Sequence, residues 1–128
     1  MTILGIGIDI LEINRLNVAI KKNNNLITRL FTKSEINYCI KKKNKINFFA
    51  KRYSAKESLV KALGTGFRNN INFKDIEIKN DSIGMPYLSI KPTLEKKIKK
   101  KFKIKKFNIL LTMSDEKKYV VTNIILTK

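Results

Sequence analysis

Residues 3–10, ILGIGIDI, form an almost unbroken apolar run carrying two glycines and one acid. A short run of this kind predicts a buried strand, with the glycines marking a close backbone approach. From 11 to 22, Leu11, Leu16, Ala19 and Ile20 recur near one face at helical spacing. The triple asparagine at 23–25 breaks that pattern. Thr32 followed by Glu35 is a capping-box pair, and it opens a short helix to about Lys43. The polar KKKNK at 41–45 leads into the longest helix, from about Asn47 to Leu63, which Gly64 is placed to end as a left-handed cap. Two short alternating runs, 75–79 and 87–90, flank the turn-rich NDSIGMP and predict a hairpin. A short, very basic helix follows from Thr93 to about Lys101. FNILLTMS (107–114) and YVVTNIIL (119–126) predict a second hairpin around 115–117.

The resulting order, β-α-α-α-β-β-α-β-β, places helices early and pairs strands as antiparallel hairpins. That argues an α+β fold, a small single domain over residues 1–128 with an antiparallel sheet and helices. No internal repeat or long linker divides the chain, and 128 residues suffice to bury a core without disulfides.

Composition narrows the chemistry. The chain has no histidine, which removes Ser-His and Cys-His nucleophile schemes and histidine metal sites. A bound metal would be held by oxygen, which favours magnesium, manganese or calcium over zinc. The single cysteine, Cys39, gives no internal disulfide framework and suits a reducing compartment. No run is apolar and long enough to span a membrane, and the N-terminal segment lacks a basic region, so a cytoplasmic protein is expected. Lys and Arg number 28 against 10 acids, a formal charge of +18. A polyanionic partner would use that charge. Codon bias toward Lys, Ile and Asn accounts for most of it equally well, so charge alone points to no function.

With so few acids, each can be weighed. Glu12, Glu35, Glu77, Glu95 and Glu116 sit where surface or capping acids belong, and Asp75 and Asp81 at strand ends or turns. Asp9 lies inside an apolar strand, where a carboxylate needs a partner, a cation or a strand end that has reached solvent. Glu57 and Lys61 are a helical i, i+4 pair, an arrangement worth only ~0.2–0.5 kcal/mol and usually solvated. Phe49 and Tyr53 precede them on the same stripe, which suggests that the stripe is partly covered. Neither glycine pair has the spacing of a dinucleotide or Walker motif, and Gly64-Thr65-Gly66 reads by itself as a cap and turn.

Together, GIGIDILEINRL at 5–16 and FAKRYSAKESLVKALGTGFRN at 49–69 resemble the holo-acyl-carrier-protein synthase family of phosphopantetheinyl transferases. The family's G-x-D is Gly7-Ile8-Asp9, and its K-E-x-x-x-K-A-x-G-T-G is Lys56 to Gly66. The likeness continues through 73–90 and 110–126, nearly the whole chain. It implies transfer of 4′-phosphopantetheine from coenzyme A to a serine of apo-acyl carrier protein, releasing adenosine 3′,5′-bisphosphate, in support of fatty acid biosynthesis. It implies a homotrimer with active sites between subunits, and Mg²⁺ as cofactor. By the same likeness Asp9 and Glu57 would bind the metal, and Glu57 and Lys61 would act in catalysis. Arg52, Lys56, Lys61, Gly64, Thr65 and Gly66 would meet coenzyme A. Arg15 and Lys22 would dock the acidic carrier, with Lys21 and Arg29 nearby. Many relatives carry histidine where this chain has Asp115, so nucleotide contacts from the last hairpin are in question.

Two rivals remain at this level. A small basic RNA-binding protein fits the charge and the fold class, but it gives Asp9 and Glu57 no purpose and predicts aromatics interleaved with the basic runs. A related fold that binds coenzyme A without turnover would not require Asp9, Glu57 and Lys61 to be intact together. The resemblance therefore implies no nucleic-acid and no membrane partner.

Overall fold

The computed structural model describes all residues, 1–128. β1 (Ile3–Glu12) is followed by α1 (Ile13–Lys22), α2 (Leu26–Leu30), α3 (Lys33–Ile40) and α4 (Lys45–Leu63). A single 3₁₀ turn at Phe73–Asp75 leads into β2 (Ile76–Asn80) and β3 (Pro86–Ile90), then α5 (Pro92–Phe102), β4 (Asn108–Asp115) and β5 (Tyr119–Thr127). The α+β class and both hairpins are as expected. β1 runs two residues further than its apolar stretch, so Leu11 belongs to a strand and not to the first helix. The short α2 was hidden because five residues give too little periodicity to read.

The strands form two separate antiparallel sheets, one in the order β1-β5-β4 and one of β2 with β3. β1 pairs along β5, with Asp9 opposite Thr122 and Ile10 opposite Val121. α4 lies across the inner face of the larger sheet. Leu59, Leu63, Ile124 and Leu126 bury there with Ile76 and Ile78 of the hairpin and Leu94 and Ile98 of α5. Each such side chain contributes roughly 1.5–3 kcal/mol on leaving water. A second cluster under α1–α3 holds Ile13, Leu16, Phe31, Phe49, Cys39 and Val120. Burial pushes the Cys39 thiol up to about 11, so it is a core residue with little thiolate character.

Two local signals act as their chemistry requires. Gly64 ends α4 at φ 74°, and Thr32 with Glu35 forms a full capping box on α3. Glu35 is the capping acid its position suggested, but it is not on the surface. It is wholly buried, and its carboxylate gathers Thr32 N–H, Ile78 N–H and the Lys56 ammonium, drawing α3, β2 and α4 together. No helix is long and apolar enough to cross a membrane.

Candidate functional site

The site begins with the pleat of β1. Ile6, Ile8 and Ile10 face outward and are 61, 62 and 65% exposed, so Gly5, Gly7 and Asp9 face α4. A Cβ on Gly7 would stand 1.8 Å from the Ser58 carbonyl oxygen, and one on Gly5 2.1 Å from that of Ala62. Only glycine admits this approach, which is the close contact its place in the strand suggested. Because the helix is drawn in, Asp9 is set directly against it.

Asp9 is held at both oxygens. Oδ1 accepts from Lys61 Nζ at 3.0 Å and Oδ2 from Ser54 Oγ at 2.7 Å. Lys61 also donates to the Ile8 carbonyl at 3.0 Å. The acid is mostly buried within the strand, so the alternative of a solvated strand end is set aside. Asp9, Glu57, Lys61, Tyr53 and Arg15 line one open cavity of about 600 Å³, whose other wall is apolar and includes Leu30 and Phe73. Tyr53 stacks on Phe73, with ring centroids 5.4 Å apart, and Phe73 stacks on Phe67 at 3.8 Å. These rings cover the stripe and take Glu57 partly out of water.

Desolvation raises the Glu57 pKa and the Asp9 charge adds to it, while the Tyr53 hydroxyl and Lys61 oppose the shift. Tyr53 is itself pushed up to about 12, first by burial and then by the Glu57 charge, so its proton is retained. Two carboxylates thus face one cavity with a single ammonium at hand. A divalent cation would relieve their repulsion. Nowhere do three or more His, Cys, Asp or Glu side chains cluster. Two acids suit a magnesium ion that keeps waters and takes substrate phosphate, and do not suit a metal that needs a full protein cage.

The other expected residues divide. Gly64, Thr65 and Gly66 follow Lys61 as a turn, but their N–H groups all point back to the Lys61 and Val60 carbonyls. The turn therefore allows close approach without offering free donors. Arg15 reaches the cavity, while Lys22 lies outside it, exposed at the end of α1. Arg52 opens on a different cavity, beside the β2–β3 hairpin; it stacks over Tyr38 at 4.4 Å and donates to Asn80 at 2.7 Å. The expectation for Lys56 needs correction. Its ammonium is fully enclosed, 2.7 Å from both Glu35 Oε1 and the Leu30 carbonyl, and within this chain it cannot reach a phosphate. Lys56 points into the core because it is one residue, about 100° of helix, away from Glu57. Asp115 pairs with Lys51 at 3.6 Å and accepts from Asn47 at 3.3 Å.

Tyr53 lies beside Glu57 as its stripe suggested, whereas Ser54, Thr122 and Phe73 belong to the surroundings of Asp9 and Glu57 and were not anticipated as such. The one sequence signal was a pair of small hydroxyl residues, Ser54 and Ser58, four apart on the inward face of α4.

Comparison with known proteins shows the family of the chain. A model of the 4′-phosphopantetheinyl transferase superfamily matches residues 5–123. The chain is 50% identical to a holo-[acyl-carrier-protein] synthase of Pelagibacter ubique over 128 residues, all of this chain and 99% of that one. Among solved structures it is similar to the holo-[acyl-carrier-protein] synthase of Neisseria meningitidis, with a TM-score of 0.87 and 33% identity over 99% of this chain and 100% of that one. It is also similar to the Bacillus anthracis enzyme of that name in complex with CoA (3′,5′-ADP), with a TM-score of 0.81 and 32% identity over 99 and 98% of the two chains.

Proposed function

The chain belongs to the 4′-phosphopantetheinyl transferase superfamily, and from that premise we propose how the cavity of Asp9 and Glu57 works. The protein is an enzyme that moves phosphopantetheine from coenzyme A to a serine of apo-acyl carrier protein. The observation that carries the assignment of roles is the meeting of Asp9, Glu57 and Lys61 at one cavity mouth.

We assign Asp9 and Glu57 as ligands of a Mg²⁺ ion. When bound, the ion would neutralise charge on the phosphate oxygens and orient them. Lys61 binds the same phosphates as a fixed cation and stabilises the leaving adenosine 3′,5′-bisphosphate. Glu57 faces the cavity as the side chain that could take the serine proton. The Tyr53 hydroxyl keeps the Glu57 carboxylate oriented, and the apolar wall excludes water that would compete with serine. The Gly64-Thr65-Gly66 turn gives the substrate room at the end of α4. Arg52 is left as a nucleotide contact from its own cavity, and Lys56 is withdrawn from that role.

Exposed Arg15 and Lys22, with Lys21 beside them, make α1 the basic face that meets the acidic carrier. We further assign the bare face of the larger sheet to a homotrimer. Ile6, Ile8 and Ile10, with Leu110 and Val121 on the neighbouring strands, form an apolar surface of the kind that marks an interface. An RNA-binding role leaves Asp9 and Glu57 without purpose and is not favoured.

The test is to mix the protein with coenzyme A, Mg²⁺ and apo-acyl carrier protein and to weigh the carrier by mass spectrometry. A gain of one phosphopantetheine, abolished by EDTA and restored by Mg²⁺, is expected. Transfer that survives EDTA would remove the metal role of Asp9 and Glu57.

A further inference from the structure

Behind Asp9 lie three hydroxyls that the reaction does not itself require. Ser54, Ser58 and Thr122 are each 0% exposed, sealed between α4 and β5. Ser54 Oγ is 2.7 Å from Asp9 Oδ2, and since a carboxylate only accepts, Ser54 must donate. Ser54 Oγ then accepts from Thr122 Oγ1, 2.8 Å away. With its proton committed there, Thr122 Oγ1 can only accept from Ser58 Oγ, at 2.6 Å. The single Ser58 proton is shared with the Thr122 carbonyl, to which Ser58 Oγ also donates at 3.1 Å. The three hydroxyl dipoles line up toward one oxygen of one carboxylate.

Tight packing alone does not explain them. The glycines of β1 make room for α4, and small apolar residues at 54, 58 and 122 would pack there with no polar group to desolvate. Buried hydroxyls are costly unless they are paired, and aligned chains of them reinforce one another.

We propose that Ser54, backed by Thr122 and Ser58, is a positioning group that engages Asp9 Oδ2 within the protein and leaves Oδ1, the oxygen shared with exposed Lys61, as the one that meets a divalent cation. The proposal rests on the metal reading of the cavity given above. Oδ1 is the oxygen that faces Lys61. A carboxylate restricted to one oxygen suits a small octahedral ion such as Mg²⁺ or Mn²⁺. It disfavours Ca²⁺, which takes six to eight oxygens and often both from one carboxylate. The hydroxyl chain is thus a device for choosing the ion.

The test is Mn²⁺ binding to the full chain with coenzyme A present, followed by loss of the free Mn²⁺ EPR signal, with Ca²⁺ as competitor. Thr122→Val removes the central hydroxyl at constant shape, Thr122→Ser keeps it, and Ser54→Ala removes the donor to Asp9. Thr122→Ser should bind as the unaltered protein does. Thr122→Val and Ser54→Ala should bind Mn²⁺ about tenfold more weakly, the usual loss for an outer-shell partner, and Ca²⁺ should compete better in both. A purely structural role would lower Tm and leave the Mn²⁺-to-Ca²⁺ ratio unchanged, and that outcome overturns the proposal. Should Thr122→Val not fold, Ser54→Ala decides alone. Asp9→Asn separates the two levels: if it binds Mn²⁺ as well as the unaltered protein, the metal reading itself is wrong and this proposal falls with it.

Discussion

The ammonium of Lys61 turns away from Glu57, its neighbour one helical turn back, and pairs instead with Asp9 at 3.0 Å, 52 residues earlier in the chain. The pairing crosses from helix to strand and closes one side of the cavity. It also leaves Glu57 with no formal ion pair, in a site that burial already makes unfavourable for its charge.

Lys61→Met should therefore cost activity far more than stability. The side chain is 52% exposed, so its loss leaves no buried void. Removing one cation from a phosphate-transfer site should lower kcat by about 10²–10³-fold. Carrier mass spectrometry and a thermal melt on the same sample check both halves.

Glu57 makes a pH prediction of definite sign. Its folded pKa is raised, so its stabilising contribution is full below the ordinary carboxylate value of 4.5 and fades as pH climbs through the raised value. Glu57→Gln stays neutral throughout. Without metal, the variant should match the parent near pH 4 and melt higher near pH 8, by roughly 1–3 °C for a half-buried group in a chain of this size. It should also be inactive. A variant less stable than the parent at pH 8 would contradict the sign.

The Lys56–Glu35 pair should behave as a buried structural tie. Both side chains are fully enclosed. Burial lowers the Lys56 pKa, and Glu35 opposes that shift. Lys56→Ala leaves Glu35 charged and unpaired, which costs about 3–5 kcal/mol. Adding Glu35→Gln should recover part of that loss, since no net charge is then buried. Urea unfolding of the single and double variants measures both values.

Gly7→Ala tests the seat of α4 on β1. Its Cβ would fall 1.8 Å from a backbone oxygen, so one element must move. A loss of about 3 kcal/mol is expected from overpacking. Asp9 is two residues on, so Mn²⁺ affinity should fall along with Tm.

Ile8→Glu tests the bare sheet face. Ile8 is 62% exposed, so the change should leave the isolated subunit folded. Light scattering coupled to size exclusion should show a subunit mass in place of the proposed trimer, with transfer lost if the sites lie between subunits.

Much of the scaffold could be read from residues close together in the chain. The Thr32–Glu35 capping box, the left-handed Gly64 and the alternating runs of the two hairpins act over a few residues, and each formed as its chemistry demands. The motifs around Asp9 and Glu57 were likewise sufficient to imply the family and the reaction. Helix period alone, however, could not say that Glu35 and Lys56 are sealed together or that Lys61 prefers Asp9 to Glu57. Those outcomes depend on which faces of α3, α4 and β1 meet. That choice is made by packing: Gly5 and Gly7 admit α4, the strand pleat aims Asp9 at it, and β5 brings Thr122 to Ser54 from 68 residues away. Local sequence set the elements and the candidate chemistry, whereas the partners of each buried charge were decided only when distant surfaces closed over them and water was removed.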